Sequence, residues 1–345
     1  MSDLMFRHPF ARLGLRAGAV LRNRTDPAQL STDDGHELIE TIVGSVLATR
    51  ECRAGEPGWA WYLTLAACYP NSPATHHSSR RAERQEQERR VRVQFAPDDS
   101  GDRPGLPCAS CQTCQTTVRW GKPRIPLAAP EDVINNQAPG GQPWCWWCRI
   151  GTWLLPFAAA SNNRSMLTVT SVSSRLEQQI VAAYTAQAQC AVEQRWSSWD
   201  GIDPMAPLRH VLLGCSEQEL AQVEWLWWRN DNREAEISGD RMLHERELRW
   251  WHRTWSRDEF RRGWDELLRG TRHQDPLLLL AHNRHKRGGK GKDAVVAAFE
   301  NAWLTDDRLL VRGEKNRKTL HPGAGQTAQL VQNYLRHCRY GATTT

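Results

Sequence analysis

Five of the ten cysteines of this 345-residue chain lie between positions 108 and 148. They form an upstream set, Cys108, Cys111 and Cys114, and a downstream pair, Cys145 and Cys148, with two residues between successive members of each set. Two cysteines at this spacing can direct both thiolates toward one point, and a second such pair completes the tetrahedral sulfur site that zinc prefers. The segment is therefore expected to fold around a shared metal.

The upstream set holds one cysteine too many, because a structural zinc site takes four ligands. It offers either Cys108 with Cys111 or Cys111 with Cys114. We favour Cys111 and Cys114 together with the downstream pair, because the run 116–120 then leaves the site at once as a strand. Cys108 is the alternate ligand. On this choice, replacing Cys114 is expected to be more harmful than replacing Cys108.

Two disulfides are the alternative use of these cysteines. Met1–Ala17 mixes arginines with short apolar pieces and lacks the uninterrupted apolar core of a secretory signal. We therefore expect a cytoplasmic chain with reduced thiols, in which clustered cysteines are typical of metal sites. Four thiolates would leave no open position for water or substrate, so the zinc is expected to be structural.

Charge and composition narrow the class of partner. Lys and Arg number 45 against 39 Asp and Glu, giving a net charge of +6 and a pI near 8.9. A basic surface on a cytoplasmic chain first indicates nucleic acid. The 17 tryptophans against six phenylalanines suit either packing or stacking on bases. No apolar run reaches the length that spans a bilayer, so no membrane is expected.

The length suits two domains. Residues 1–172 combine helical and strand patterns and contain the cysteine segment, at about 108–148. Residues 173–345 are mostly helical in pattern, with basic segments between the helices. The predicted fold class is therefore α+β, with a mixed N-terminal domain that carries a four-cysteine zinc module and a C-terminal helical bundle.

The elements of the first domain follow from periodicity. Met1–Leu30 is interpreted as a partly extended arm or a first strand. Apolar residues at helical spacing after two aspartates predict a helix that ends near Arg50. Strands are predicted at Trp59–Tyr69, Val91–Phe95 and Met166–Val172.

Two short signals predict helices in the second domain. Ser173 and Ser174 with Glu177, and Ser216 with Glu219, resemble capping boxes, and each precedes apolar residues at helical spacing. Further along, 309–312 is predicted as a strand, and with its basic turn it suggests a winged element.

The most concentrated uncompensated charge lies in segment 282–292. The cations Lys286, Arg287, Lys290 and Lys292 have no acid within the segment, and its glycines let the backbone approach a polyanion closely. We therefore predict phosphate contacts here, the alternative being a solvated loop. The segment lacks the Gly-Lys-Ser/Thr ending of a nucleotide-binding P-loop.

Two other places are candidate nucleic-acid contacts. Arg80 and Arg81 open a charged block whose remainder is typical of a solvated helix, and they have no acids nearby. Asn162, Asn163 and Arg164 have the side chains that pair with adenine and guanine edges, although a plain turn explains them as well.

This layout resembles the zinc-containing, Cas-eight-like large subunit of CRISPR effector complexes, most closely the compact one of type IV systems. The resemblance rests on the two cysteine pairs, including Cys145-Trp146-Trp147-Cys148, in a mixed domain followed by a basic helical bundle. It implies a non-catalytic subunit that binds the other subunits, crRNA and double-stranded target DNA. Such a subunit contacts the motif flanking the target, whereas guide pairing reads the sequence.

Two other functions fit parts of the sequence. The letters of an HNH nuclease motif occur at His282, Asn283 and His285. Some enzymes of that kind also contain cysteine pairs that stabilise the fold. However, three of the letters fall within four residues, far downstream of the cysteines. A zinc-containing DNA-binding regulator fits the charge but not the mixed N-terminal half. No catalytic set is predicted.

Overall fold

The computed structural model describes most of the first 243 residues and a few positions beyond them. The described ranges are 8–70, 72–76, 82–97, 105–121, 124–127, 141–162, 165–230 and 235–243, with 245, 248–249, 252, 310–312 and 318–320. The chain divides into two compact units, residues 1–214 with 223–240 and residues 215–222 with 241–345. The first unit thus continues past residue 172, where the sequence suggested a boundary.

Helices and small antiparallel sheets alternate along the described chain, which confirms the mixed fold class. The α-helices are α1 Pro9–Leu21, α2 Thr32–Leu47, α3 Trp59–Cys68, α4 Arg84–Arg92, α5 Trp146–Leu154, α6 Ser174–Glu193 and α7 Ala206–Gly214. Short 3-10 helices cover Pro27–Gln29, Val93–Phe95 and Leu155–Phe157. Most of the predicted C-terminal bundle lies outside the described residues.

The strands form three hairpin-like pairs and one larger sheet. They are β1 Leu106–Pro107, β2 Gln115–Thr116, β3 Arg119–Trp120, β4 Gln142–Pro143, β5 Ala160–Asn162, β6 Ser165–Ser171, β7 Val223–Asn230, β8 Ala235–Leu243, β9 Leu310–Arg312 and β10 Lys318–Leu320. Strands β1–β2, β3–β4 and β9–β10 pair antiparallel, and β5-β6-β7-β8 form the four-stranded sheet. Within the described ranges, no helix is long and apolar enough to cross a membrane.

Several elements confirm the sequence analysis. Helix α2 begins where the acidic signal placed it, with a capping box between Ser31 and Asp34. Strand β6 coincides with the predicted Met166–Val172 strand, and α6 begins after Ser173, whose hydroxyl accepts from the Leu176 N–H. The predicted strand at 309–312 is β9.

The interpretation of Met1–Leu30 as extended is wrong for its described part, because Pro9–Leu21 forms helix α1. Proline at the first helical position suits a helix start. The arginines that obscured the pattern, Arg12 and Arg16, lie one turn apart and both bind the buried carboxylate of Glu177. Because the acid that pairs with these arginines is distant in the sequence, the sequence of α1 gives no sign that the helix is largely buried.

Two predicted strands are helical in the structure. Trp59–Cys68 is helix α3, which is apolar nearly all round, so its sequence had no helical periodicity to detect. The Val91–Phe95 segment completes α4 and continues as a 3-10 helix. A short apolar run cannot be assigned to helix or strand from its sequence alone.

The helix predicted after Ser216 is wrong, because Val223–Asn230 is strand β7. Val223, Trp225 and Trp227 are buried at alternate positions, Trp228 and Asn230 are buried as well, and the strand pairs antiparallel with β6. Glu219 does accept from the N–H and hydroxyl of Ser216, but in a turn. The capping interaction formed without a helix after it.

Glu177 anchors α6 to α1 instead of completing a capping box. Its carboxylate is buried and accepts from Arg12 at 2.9 and 3.0 Å, from Arg16 at 2.6 Å, and from the Ser171 N–H at 3.2 Å. A buried charge is stable only when it is paired and hydrogen-bonded, as it is here. The ion-pair network therefore fixes α6 against one face of α1.

Helices α1 and α5 approach so closely that their backbones touch at two glycines. A Cβ atom on Gly14 would overlap the Gly151 carbonyl, and one on Gly151 would overlap the Ala11 carbonyl. Leu13, Leu15, Ile150 and other residues of both helices are buried around this contact in one continuous core. Cys145 directly precedes α5 and Cys148 lies within it, so the contact also sets the position of these two cysteines.

We predict that Gly14→Ala lowers the free energy of unfolding by about 1–3 kcal/mol, because the added methyl group must push two packed backbones apart. Gly44→Ala is the matched control, since a Cβ there meets nothing within 4 Å. It should be neutral or stabilising by up to about 1 kcal/mol. Chemical denaturation measures both, and equal effects of the two substitutions would contradict the close helix contact.

Candidate metal centre

Two structural elements bring the cysteines together. Cys108 directly follows β1, and Cys111 lies in the connection from β1 to β2. Leu106 pairs with Thr116 and Pro107 with Gln115, which closes this connection into a hairpin. The turn is tight, since the Gln112 N–H donates to the Cys108 carbonyl at 2.9 Å.

The downstream pair lies at the start of helix α5. Cys145 is the N-cap residue and Cys148 lies in the first turn. The positive end of the helix dipole favours negative charge at this position, which lowers the cost of holding thiolates there. The hairpin and the helix start thus contribute two sulfurs each.

The sulfurs of Cys108, Cys111, Cys145 and Cys148 all lie within 4.8 Å of one another, and all four residues are buried. The Sγ atoms of Cys111 and Cys145 are 3.8 Å apart. Four sulfurs bound tetrahedrally at about 2.3 Å from one ion would be about 3.8 Å apart. The four cysteines could therefore hold a metal ion with little rearrangement.

The favoured upstream pair differs from the one that the structure brings to the site. Cys108, which we kept as the alternate ligand, joins the group of four, and Cys114 does not. Cys114 is half-exposed, and its carbonyl accepts from the Cys108 N–H at 2.8 Å. The reason is the hairpin: β1 ends at Pro107, so the turn that can direct two thiolates inward begins at Cys108.

The strand expected to leave the site begins immediately after Cys114. Its run 116–120 is divided into β2, which pairs back to β1, and β3, which pairs with β4. The sequence signal for the correct pair is the short strand Leu106–Pro107. A strand that ends directly before Cys108 places this cysteine in the hairpin turn. Spacing alone does not distinguish two overlapping pairs.

Hydrogen bonds among the four cysteines shift the pKa values of their thiols in opposite directions. The bonds from Cys108, and then those from Cys145 and Cys148, hold the pKa of Cys111 far below its ordinary value. Bonds to Cys108, Cys111 and Cys145, together with burial, raise the pKa of Cys148 far above it. Four such close sulfurs cannot all be negative unless a cation is present, and a bound metal ion supplies that cation.

A backbone donor also points at the cluster. The Cys145 N–H lies 3.3 Å from the Cys108 sulfur and donates to it. Hydrogen bonds from the surrounding protein orient metal ligands and stabilise their charge. Four protein sulfurs would fill all four positions of a tetrahedral metal ion.

The tryptophans between the downstream cysteines pack against the protein and do not form an open stacking surface. A Cβ on Gly35 of α2 would overlap the Trp146 ring, and Trp147 lies beside it. The Trp146 indole N–H donates to the Phe95 carbonyl at 3.1 Å. These residues fix the start of α5 against α2 and the 3-10 helix at 93–95.

Arg149, in the turn after Cys148, is fully buried and was not singled out by sequence. Its guanidinium donates to the carbonyls of Gln94 and Ala96, each at 2.9 Å. Those two carbonyls lie at the end of a helical segment, where backbone acceptors lack partners within the helix. No sequence signal distinguishes such an arginine from a surface one.

The predicted nucleic-acid residues are mostly outside the described part of the chain. Asn162 is exposed at the end of β5, where it pairs with Ser165. The residues Asn163, Arg164, Arg80, Arg81, Lys286, Arg287, Lys290 and Lys292 lie outside the described residues. Their predicted contacts stay predictions.

Comparison with protein-family models, with curated proteins and with solved structures finds no match to this chain. Its function therefore has to be inferred from its own residues and geometry.

The site predicts opposite outcomes for two neighbouring cysteines. Cys108→Ser should abolish the binding of about one metal ion per chain and lower the melting temperature, because metal binding and folding of such a module are coupled. Cys114→Ser is the matched control in the same hairpin and should retain the metal, with a melting temperature within about 2 °C of the wild type. Elemental analysis measures the metal content, and thermal unfolding measures the melting temperature. Loss of metal in the Cys114 variant alone would show that Cys111 and Cys114 are the upstream ligands.

Proposed function

We propose that the metal is zinc and that its role is structural. Four thiolates in tetrahedral arrangement suit zinc or iron with sulfur. A polynuclear iron cluster needs room between the cysteine sulfurs for bridging atoms, and separations within 4.8 Å leave room for a single ion. Protein purified without chelator is therefore expected to contain about one zinc ion per chain. Iron in its place, with visible absorption, would overturn the assignment of zinc.

We further propose that the chain is a non-catalytic large subunit of a crRNA-guided, Cascade-like CRISPR complex. In this role it binds double-stranded target DNA beside the guide-paired region and contacts the flanking motif. Its partners are the other subunits, crRNA and target DNA. The sequence resemblance supports this proposal, and so does the net positive charge of the chain.

The observation that carries the proposal is the closed sulfur site inside the core of a mixed domain. All four sulfurs are buried, and the helix that bears two of them contacts α1 backbone to backbone. Such a metal stabilises a scaffold, and it offers no open position for hydrolysis. A module of this kind suits a subunit that positions nucleic acid and leaves cleavage to another protein.

The runner-up function is a zinc-stabilised endonuclease of the HNH type, and a DNA-binding regulator is the third. The nuclease requires His282, Asn283 and His285 to act as a catalytic set, and these lie outside the described residues. The described residues hold one group of candidate metal ligands, the four cysteines. Nothing in the described part of the chain therefore favours the nuclease.

Purification from the native host separates these functions. A large subunit should elute with short repeat-derived RNA and with other proteins, and the complex should retain zinc. A chain that elutes alone and cuts plasmid DNA with a divalent metal would establish the nuclease instead, provided that His282→Ala abolishes the cleavage. A chain that elutes alone and binds one DNA sequence without cutting it would establish the regulator.

We predict that replacing Lys286, Arg287, Lys290 and Lys292 together by alanine weakens DNA binding equally on targets with and without the flanking motif. Phosphate contacts position a protein but read no sequence. Each lost contact should also reduce the slope of log affinity against log salt by about 0.9. Titrations at several salt concentrations measure the change.

Arginines that are already paired with carboxylates provide the control for this experiment. Arg89 binds Glu86 at 2.7 and 2.9 Å, and Arg92 binds Glu88 at 2.8 Å and Glu40 at 2.7 Å, so three carboxylates offset the charge of these two arginines. Replacing these two by alanine should leave the salt slope almost unchanged. If the four-residue variant behaves like this control, segment 282–292 is a solvated connection and the predicted phosphate surface is wrong.

A further inference from the structure

A cavity of about 430 Å³ lies beside the metal module, between the start of α1, the β3–β4 pair and β7. Aromatic rings and aliphatic side chains form its walls, among them Phe10, Trp120, Ile125, Trp144 and Leu226. The described residues that line it include neither an acid nor a lysine or arginine. The cavity therefore suits an uncharged group with a large apolar surface.

Flat rings dominate one side of this cavity. The indoles of Trp120 and Trp144 are nearly parallel, with 16° between their planes and 6.4 Å between their centroids. His8 meets Trp144 edge-on at 5.0 Å and Phe10 at 5.4 Å. Trp120 and Trp144 are only 1% and 2% exposed, so a planar ligand in the cavity would meet a small part of each ring.

Two of the lining residues each carry a polar atom that is buried without a hydrogen-bond partner among the described residues. These atoms are the indole Nε1 of Trp144 and the Nδ1 of His8. His8 is the N-cap residue of α1, but its side chain makes no capping bond. Burial lowers the pKa of His8 to about 4, so the ring is neutral near pH 7. A buried donor without a partner is costly, so a ligand that supplies an acceptor would relieve that cost.

Positive charge lies next to the cavity rather than inside it. The Arg124 guanidinium lies over the Trp120 ring, 6.0 Å from its centroid. Arg119 donates to the carbonyl of Gly141, a lining residue, at 3.0 Å. Neither arginine has an ion pair with a carboxylate of the described residues. An anionic group that extends from a ligand in the cavity would meet these cations.

We propose that this cavity binds an unpaired nucleobase of a nucleic-acid strand, with the adjoining phosphates near Arg119 and Arg124. A nucleobase is planar and uncharged, and it brings ring nitrogens and exocyclic oxygens that accept hydrogen bonds. An apolar peptide side chain would leave the Trp144 N–H unpaired, and a phosphate would find no cation among the lining residues. The inference rests on the proposed function for the origin of the strand.

The direct test uses 2-aminopurine riboside, a nucleoside whose fluorescence falls when its base stacks. Wild-type protein should quench it saturably. Ala109→Phe, which fills the cavity, should weaken binding about tenfold, and His8→Phe, which keeps the ring but removes Nδ1, about fivefold. His36→Phe is the matched control, because His36 also contacts a tryptophan ring, Trp146 at 5.3 Å, but lies outside the cavity.

Absence of saturable quenching by the wild type would overturn the proposal, as would unchanged affinity in a folded Ala109→Phe variant. Zinc content and circular dichroism report whether each variant is folded. If the variants fold poorly, the wild-type titration decides. Quenching by the wild type that His36→Phe reduces as much as His8→Phe would also overturn it, because the base would then not be in this cavity.

A second experiment distinguishes failure of the cavity proposal from failure of the proposed nucleic-acid function. The same base is placed within single-stranded DNA and RNA oligonucleotides of identical sequence. Both should bind more tightly than the nucleoside, and Arg124→Gln should weaken oligonucleotide but not nucleoside binding. Nucleoside binding without oligonucleotide binding would refute the nucleic-acid function while retaining the cavity as a base-binding site. Oligonucleotide binding that Ala109→Phe leaves unchanged would refute the cavity alone.

Discussion

The backbone contact between Gly14 of α1 and Gly151 of α5 is the constraint on which the first unit depends. Only glycine at both positions lets the two helices approach this closely, and the approach buries the apolar residues around them. From α1, the ion pairs of Arg12 and Arg16 with Glu177 hold α6. From α5, the chain reaches two of the four clustered cysteines. Core and metal site are therefore parts of one packing arrangement.

This arrangement connects the cysteine segment to the core by several contacts besides the four sulfurs. The middle of α5 is held by the α1 backbone at Gly151, and its start is held by α2 at Gly35 and by the carbonyls that Arg149 and Trp146 bind. A metal ion bound by the four cysteines would then have to fix mainly the β1–β2 hairpin against a helix that is already positioned. A bound ion would hold this hairpin in place, and the cavity lined by Ala109 lies beside it.

The sequence predicted the elements whose signals are local. The capped start of α2 and the alternating residues of β6 depend on neighbours in the chain, and both were found where expected. Helix α3 was assigned as a strand because burial on all sides removes periodicity. Helix α1 was missed because the acid that neutralises its arginines, Glu177, is far away in sequence. The cysteine cluster followed from spacing, but the choice of Cys108 over Cys114 depended on a hairpin register that spacing does not encode.

The most direct test of the central claim is X-ray absorption at the zinc edge on protein purified without chelator, with the Cys114→Ser variant alongside it. The proposed zinc site predicts that wild type and variant give the same spectrum, with four sulfur ligands at about 2.3 Å from one zinc ion. A nitrogen or oxygen ligand in the wild type, or the loss of one sulfur from the shell in the variant, would contradict the assignment of Cys108, Cys111, Cys145 and Cys148 as the metal site.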